Sequence, residues 1–252
     1  MPNVYEFVPK SEYAPVKQRI CSCLSRTVEI LKEKGIYVTY SFVGSSNRNG
    51  EAFITRIKGG NKGFDFDINL YVERPSKEEI WSADDLRKEI YNAIDKCFSR
   101  IGYDHPEDRT SVIRIKVKDR DNSRIIHSVD FAIFQDFYNN NNEIIQKYSR
   151  KISNGQYTWE LRGGKNSEAD DKLKWLQENI GDDGDDNFDY SYREGLTLSD
   201  NLKNEYLRLK NNNKDENKAS FQLYFEAIAN IFNSWQQYIE NNPCDDNEDL
   251  YD

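Results

Sequence analysis

Two aspartates lie one residue apart in the segment FDFDINLYV, residues 64–72, whose alternation of apolar and polar residues predicts a β-strand. Because successive side chains of a strand point to opposite faces, Asp65 and Asp67 share one face and the apolar side chains share the other. Two carboxylates one pleat apart on a central strand repel each other and lose hydration, which is unfavourable unless a cation neutralises them. The pair therefore predicts a site for a hard divalent cation. A solvated edge strand with two surface acids is the alternative.

A third acid lies in another predicted strand, at residues 124–134. Asp130 is flanked there by Val129 and Phe131, so it is a single carboxylate on the polar face of an otherwise apolar strand. If this strand pairs beside residues 64–72, three carboxylates converge. Three acids on neighbouring strands can hold two divalent ions about 3.5–4 Å apart, the arrangement that stabilises an in-line phosphoryl displacement.

A glycine-serine turn follows the strand predicted at residues 36–43. Gly44 lets the backbone approach a ligand closely, and the N–H groups and hydroxyls of Ser45 and Ser46 can hold phosphate oxygens. The stretch between this turn and the aspartate pair carries basic side chains that either neutralise phosphate charge or are solvated surface charges. These are Arg48, Arg56, Lys58 and Lys62.

The order of these motifs matches a known family. The Gly44-Ser45 turn, the Asp-Phe-Asp motif that begins at Asp65, and Asp130 resemble the nucleotidyltransferase superfamily related to DNA polymerase beta. That family has a Gly-Ser turn after its first strand, an Asp-x-Asp pair on the next core strand and a third Asp further on. The resemblance covers residues of roughly 20–135.

The resemblance implies a role for each residue. Asp65 and Asp67 would bind two Mg²⁺ ions, with Mn²⁺ as an alternative. Asp130 would bind the metal that activates the acceptor hydroxyl and help to accept its proton. Gly44 and Ser45 would hold the triphosphate of an incoming NTP. The predicted nucleotide-binding set also includes Ser46, Arg48 and Lys62. These roles agree with the chemistry, because phosphoryl transfer asks a protein mainly for positioning and charge neutralisation.

The connection between the turn and the acids departs from the family pattern. Ser45 and Asp65 are 20 residues apart, which is longer than is usual in the family. Residues 52–63 are interpreted as an insertion, with a short strand at 52–58, that forms a hairpin over the site.

Apolar periodicity predicts the elements that position these residues. In the first part of the chain, helices are expected at residues 11–34 and 76–101, and a further strand is expected at residues 111–119. The order predicts an α+β fold, a nucleotidyltransferase-like mixed β-sheet with flanking helices, in residues 1–140.

A run of four Asn at 139–142 is interpreted as the junction. Beyond it, wide apolar stripes predict a mainly helical C-terminal domain at 141–243, followed by an acidic disordered tail at 244–252. Its helices are expected at 172–180, 202–210 and 219–239.

Composition excludes several classes of protein. The chain has 252 residues and a formal net charge of −9 at pH 7, whereas broad duplex DNA binding requires a surplus of Lys and Arg. No apolar run is long enough for a transmembrane helix, so no membrane partner is expected, and the first residues lack the apolar stretch of a secretory signal. Two histidines and four cysteines without a CxxC pair argue against a zinc site. Reduced thiols and a cytoplasmic location are expected.

The Gly-Ser turn and the three strand-borne aspartates, with the resemblance that they carry, imply an enzyme that moves an NMP from an NTP to an acceptor hydroxyl and releases pyrophosphate. The acceptor stays open: a small molecule such as a cationic aminoglycoside, a nucleotide, a protein hydroxyl or an RNA end. A second hypothesis is a non-catalytic nucleotide-binding member of a toxin–antitoxin or defence system with the same fold, against which the three intact aspartates argue. A metal-dependent nuclease is disfavoured, because no Lys closely follows the acids on their strand.

Two other patterns carry less weight. His127 lies three residues before Asp130, hence on the opposite face of its strand, and is expected to be packed or hydrogen-bonded rather than a general base. Acidic residues at 183–194 follow the spacing of a calcium loop, but Phe188 replaces the glycine that the sharp turn requires. A solvated acidic loop is therefore expected there.

Overall fold

The structure is a computed structural model that describes residues 4–47, 52–74, 81–162, 167–180, 197–215 and 218–241. The chain divides into two units, Met1–Gly163 and Gly164–Asp252. The first unit contains, in chain order, β1 (Tyr5–Phe7), α1 (Lys10–Lys32), β2 (Val38–Val43), β3 (Thr55–Ile57), β4 (Lys62–Val72), α2 (Ala83–Phe98), β5 (Glu107–Asp108), β6 (Ile113–Asp119), β7 (Arg124–Tyr138), β8 (Ile144–Lys151) and β9 (Tyr157–Leu161). The second contains α3 (Ser167–Ile180), α4 (Leu198–Asn212) and α5 (Ser220–Asn241).

Within the described residues of the first unit, seven strands form one mixed sheet in the order β2-β4-β7-β6-β5, with β8 paired to β7 and β9 to β8. β4 and β7 run parallel, while β2 pairs with β4, and β6 with β7, in antiparallel fashion. β4 and β7 therefore have neighbours on both sides and are interior strands. The expectation that the aspartate pair lies on a central strand is confirmed, and the alternative of a solvated edge strand is wrong.

Helices α1 and α2 supply the core on one face of this sheet. Ile20 and Leu24 of α1 and Ile90 of α2 share one buried cluster with Phe66 of β4 and Phe131 of β7. The buried residues of α1 recur at three- and four-residue steps, as an amphipathic helix requires. Since the apolar residues of β4 and β7 alternate with the acids, the acids lie on the sheet face opposite this core. The predicted fold class, an α+β mixed sheet with flanking helices, is confirmed.

The first unit extends further than the predicted boundary near residue 140. The Asn run is the turn of a hairpin: Asn139 Oδ1 accepts hydrogen bonds from the backbone N–H groups of Asn141 and Glu143, and Asn142 has a φ of +61°. Asn tolerates this left-handed conformation better than most residues, so the run connects β7 to β8 instead of separating two domains. β8 and β9 then extend the sheet, and the unit ends at Gly163.

The described part of the second unit is helical. Thr197 caps α4 through a capping box with Asp200, which satisfies free N–H groups of the first turn. Trp175 of α3 packs edge-on against Phe232 of α5, with ring centroids 5.1 Å apart. The acidic loop at 182–189, the calcium-like spacing and the tail at 244–252 lie outside the described residues. In the described parts of both units, none of the helices is long and apolar enough to cross a membrane.

Candidate active site

Two of the three predicted acids are direct neighbours on the polar face of the sheet. The parallel register of β4 and β7 places Asp67 opposite Asp130, and neighbouring strands lie about 4.8 Å apart. The Asp130 side chain is 13% exposed, and Asp67 is half-buried. Two partly desolvated carboxylates at this separation repel each other, which favours a cation between or beside them.

Asp65 lies one pleat away on the same face but is more exposed. It stands opposite Ser128 in the register, and Ser128 Oγ donates a hydrogen bond to Asp65 Oδ1. Ser128 is buried, whereas Asp65 is exposed. The argument from lost hydration therefore applies to Asp67 and Asp130 more strongly than to Asp65. Ser128 is a partner that the sequence alone did not reveal.

The predicted phosphate turn borders the same acids. Gly44–Ser46 form a single turn of 3₁₀ helix directly after β2, whose last residue, Val43, pairs with Asp67. Gly44 has a φ of +63°, and a Cβ at this position would clash with the Asp67 carboxylate. Glycine is therefore required both by the backbone and by the acid beside it. The turn is packed directly against one of the predicted metal ligands.

The two serines of the turn differ. Ser46 is buried, and its hydroxyl donates to the carbonyl of Val43 at 2.7 Å, so this side chain stabilises the turn itself. Ser45 is half-buried, and its carbonyl accepts a hydrogen bond from the N–H of Phe53 at 2.6 Å. Lys17 of α1, which was not predicted, donates to the carbonyl of Ser46 at 3.3 Å. This lysine brings a positive charge to the turn from a distant part of the sequence.

Two of the basic residues predicted to neutralise phosphate charge, Arg56 and Lys58, have other surroundings in the structure. Arg56 of β3 pairs with Glu6 of β1 at 2.8 Å and with Glu12 of α1 at 2.6 Å. Lys58 is exposed in the turn after β3. Lys62 opens β4, opposite Ile125 of β7, and Arg48 lies outside the described residues. The predicted insertion thus forms β3, which pairs with β1 near the chain start rather than with itself as a hairpin.

Other cations occupy the opposite side of the acids, on β6. Arg114 pairs in register with Asp130, and its Nε and Nη2 donate to the two carboxylate oxygens of that residue, the first at 2.5 Å. The hydrogen bonds and charge of Asp130 raise the pKa of Arg114. Lys116 stands opposite Ser128 and forms an ion pair with Glu107 of β5. Lys116 and Arg109 lower the pKa of Glu107 to about 2.

The oxygen donors on the polar face of the sheet fit the predicted magnesium site. Within the described ranges, no group of three or more His, Cys, Asp or Glu side chains is arranged to hold a metal ion. Mg²⁺ rarely uses such an all-protein cage; it is usually bound by one or two carboxylates, with water and substrate phosphates as the other ligands. Adjacent Asp67 and Asp130, hard oxygen donors beside a glycine turn, fit that kind of site.

His127 occupies the core face of β7, as predicted. Its ring stacks on Phe64, and its Nε2 lies 2.8 Å from the hydroxyl of Tyr103. Burial, and then the charge of Arg19, lower the pKa of His127 to about 4. The side chain is therefore neutral at pH 7 and lies on the side of the sheet away from the acids.

Comparison with known proteins identifies the architecture. No family model matches the chain, and no curated protein matches it. Among solved structures, a mutant of the Vibrio cholerae di-nucleotide cyclase DncV in complex with ATP and GTP superposes with a TM-score of 0.58 at 11% identity, covering 90% of this chain and 70% of the other. The chain has the nucleotidyltransferase fold. Escherichia coli DncV in its 3'-deoxy GTP-bound form gives a TM-score of 0.53 at 10% identity, with 90% and 69% covered.

A third structure, Vibrio cholerae DncV in its 3'-deoxy ATP-bound form, gives a TM-score of 0.48 at 14% identity. This chain is covered over 90% of its length but spans only 53% of that chain. Identities this low establish the nucleotidyltransferase fold alone, and a fold by itself does not define an activity.

Proposed function

We propose that this protein is a metal-dependent nucleotidyltransferase that moves an NMP from an NTP to an acceptor hydroxyl and releases pyrophosphate. The observation that carries the proposal is the register that sets Asp67 opposite Asp130, with the Gly44 turn packed against Asp67. Neither feature serves the core, because both lie on the face of the sheet away from it. Together they offer a cation site beside a phosphate site.

Asp67 and Asp130, with Asp65 one pleat away, would hold Mg²⁺, which supplies charge neutralisation for the phosphoryl group. Gly44 and Ser45 would bind and orient the triphosphate through backbone N–H groups and a hydroxyl. The acceptor oxygen bonds to the α-phosphorus while the bond from this phosphorus to the bridging oxygen breaks. Pyrophosphate leaves with the electron pair, and the hydroxyl proton passes to Asp130 or to solvent.

The proposed acceptor is a second nucleotide rather than a cationic small molecule. A structurally similar protein is a di-nucleotide cyclase in complex with ATP and GTP. Independently, Arg114 and Lys116 lie beside Asp130 and Ser128 in the register, on the side of the acids away from the Gly44 turn. Positive charge at this position favours an anionic acceptor and opposes an aminoglycoside.

A second candidate is a nucleotide-binding protein of the same fold that does not catalyse transfer. One observation favours it: Asp130 is bound by Arg114, and Asp65 by Ser128, within the protein itself. Acids with internal partners have less need of a metal. This candidate predicts nucleotide binding without release of pyrophosphate.

The test is a transfer assay with the full chain, each α-labelled NTP in turn, unlabelled NTPs as acceptors, and Mg²⁺ or Mn²⁺. Pyrophosphate release and a labelled oligonucleotide product are expected for the wild type. Asp67→Asn and Asp130→Asn remove one carboxylate charge at nearly constant shape and should lower the rate at least about a thousandfold, or about 4 kcal/mol in the barrier. Gly44→Ala should also impair transfer, because its methyl group displaces the Asp67 carboxylate.

The matched control is Asp136→Asn, an exposed acid on the same face of β7. It should transfer at the wild-type rate. Equal rates for Asp67→Asn, Asp130→Asn and the wild type would refute the proposed site. NTP binding without any pyrophosphate would support the non-catalytic candidate instead.

A further inference from the structure

Arg114 forms an ion pair with Asp130, the third acid of the candidate site. Its guanidinium faces Asp130 across the antiparallel β6–β7 pair, and two nitrogens engage the two carboxylate oxygens. A bidentate pair of this kind combines charge with fixed geometry and is stronger than a single hydrogen bond. A metal ion can therefore gain full use of Asp130 only if Arg114 releases at least one of its oxygens.

Arg114 can move away from Asp130, and the other acids near it already have partners. Its side chain is 30% exposed, so rotation toward solvent is open. Glu107 is its other register partner, across β5. That carboxylate is already held by Lys116 and by Arg109. The charge of Asp65 also acts on Arg114, but this carboxylate is exposed and already accepts a hydrogen bond from Ser128. An incoming anion can therefore replace Asp130 as the partner of the guanidinium.

We propose that Arg114 is a specificity-determining residue that passes from Asp130 to a phosphate group of the acceptor, so that Asp130 becomes available to the metal when a phosphorylated acceptor is bound. This inference rests on the proposed function and assigns the acceptor class by its charge. Binding of the acceptor removes Arg114 from Asp130, and binding of the metal removes Asp130 from Arg114. Each ligand therefore raises the affinity for the other, and such coupling is reciprocal. With an uncharged or cationic acceptor, the ion pair between Arg114 and Asp130 remains intact.

Metal binding tests this directly, without relying on turnover. Free Mn²⁺ is measured by its electron paramagnetic resonance signal in titrations of the full chain alone, with GMP and with guanosine, and protein-free titrations correct for Mn²⁺ bound by GMP. For the wild type, GMP should raise the Mn²⁺ affinity about tenfold, within the usual range of coupling between two sites. Guanosine, which lacks the phosphate, should leave the affinity unchanged.

The variants distinguish competition between Arg114 and the metal for Asp130 from a general effect of positive charge on Mn²⁺ affinity. Arg114→Gln should bind Mn²⁺ more tightly than the wild type without GMP, and GMP should then add little. Arg114→Lys keeps the charge but loses the bidentate fork and should lie between the two. Arg150→Gln is the matched control, because Arg150 forms a similar but exposed pair with Glu160 between β8 and β9. It should behave like the wild type.

Equal Mn²⁺ affinities for Arg114→Gln and the wild type would overturn the inference, as would equal effects of GMP and guanosine. Circular dichroism checks that the variants are folded. If Arg114→Gln does not fold, Arg114→Lys decides, because its Mn²⁺ affinity without GMP should still exceed that of the wild type. Coupling without pyrophosphate release would refute only the proposed catalysis, whereas transfer without coupling would refute only the role of Arg114.

Discussion

The two faces of the β4–β7 strand pair differ in burial and charge. On one face Phe66, Val129 and Phe131 are fully buried against the helices. On the other, Asp67 and Asp130 lie side by side, partly buried and negatively charged. Burial of the first set stabilises the fold through the hydrophobic effect. Repulsion between the two carboxylates of the second set opposes folding, so hydrophobic packing does not account for them.

This difference separates residues that hold the protein together from residues that perform a task. The core face can be explained by packing alone. A bound cation would explain the polar face, since like charges on adjacent strands repel each other. Arg114 offsets part of this cost at Asp130, and the Gly44 turn leaves room for the Asp67 carboxylate.

The largest expected effect on stability distinguishes the two faces directly. Phe131→Ala removes a fully buried ring and should lower the free energy of unfolding by about 3–5 kcal/mol. Asp67→Ala should leave it unchanged or raise it, because repulsion with Asp130 is relieved. Urea unfolding of both variants, with the wild type as reference, measures the contrast. A loss of stability in Asp67→Ala as large as that in Phe131→Ala would show that the acid serves the fold.

A smaller, pH-dependent effect is expected from His127 on the core face. Burial lowers its pKa from 6.5 to about 4, so the unfolded chain binds a proton more readily than the folded protein between these values. Stability should therefore be complete above about pH 6.5 and fall as the pH decreases toward 4, by up to about 3 kcal/mol. His127→Gln removes this titration but keeps a hydrogen-bonding group for Tyr103.

The measurement is urea unfolding at several pH values from 4.5 to 7.5 for the wild type and His127→Gln. The variant should show the shallower dependence on pH. Parallel curves for the two proteins would mean that His127 does not account for the acid sensitivity. Transfer activity, if present, should depend little on His127, because this side chain faces the core.

The sequence predicted the β4–β7 region well because its physical pattern is local. Strict alternation around Asp65 and Asp67 indicated a strand with one polar face, and α1 was visible from its apolar spacing. β8 and β9 were missed because their buried residues are few: Ser149 is the only buried residue of β8, and β9 has none. Their strand conformation comes from pairing with β7, which is a tertiary effect.

The sequence predicted only those parts of the site that depend on local patterns. The order of turn and acids could be found in sequence, whereas the pairing of Arg114 with Asp130 depends on the register of β6 against β7. That register shifts at a bulge between Val117 and Lys118, which no periodicity reveals. A signal did exist: Arg114 and Lys116 alternate with apolar residues, so they share one face of a strand that precedes the strand of Asp130.

The central claim is that Asp67 and Asp130, beside the Gly44 turn, hold a metal and a nucleotide together. Anomalous X-ray scattering from crystals grown with Mn²⁺ and a non-hydrolysable ATP analogue tests it most directly. We expect Mn²⁺ about 2.1 Å from a carboxylate oxygen of Asp67, with the triphosphate against Gly44 and Ser45. Mn²⁺ bound without Asp67, or a nucleotide bound away from the turn, would contradict it.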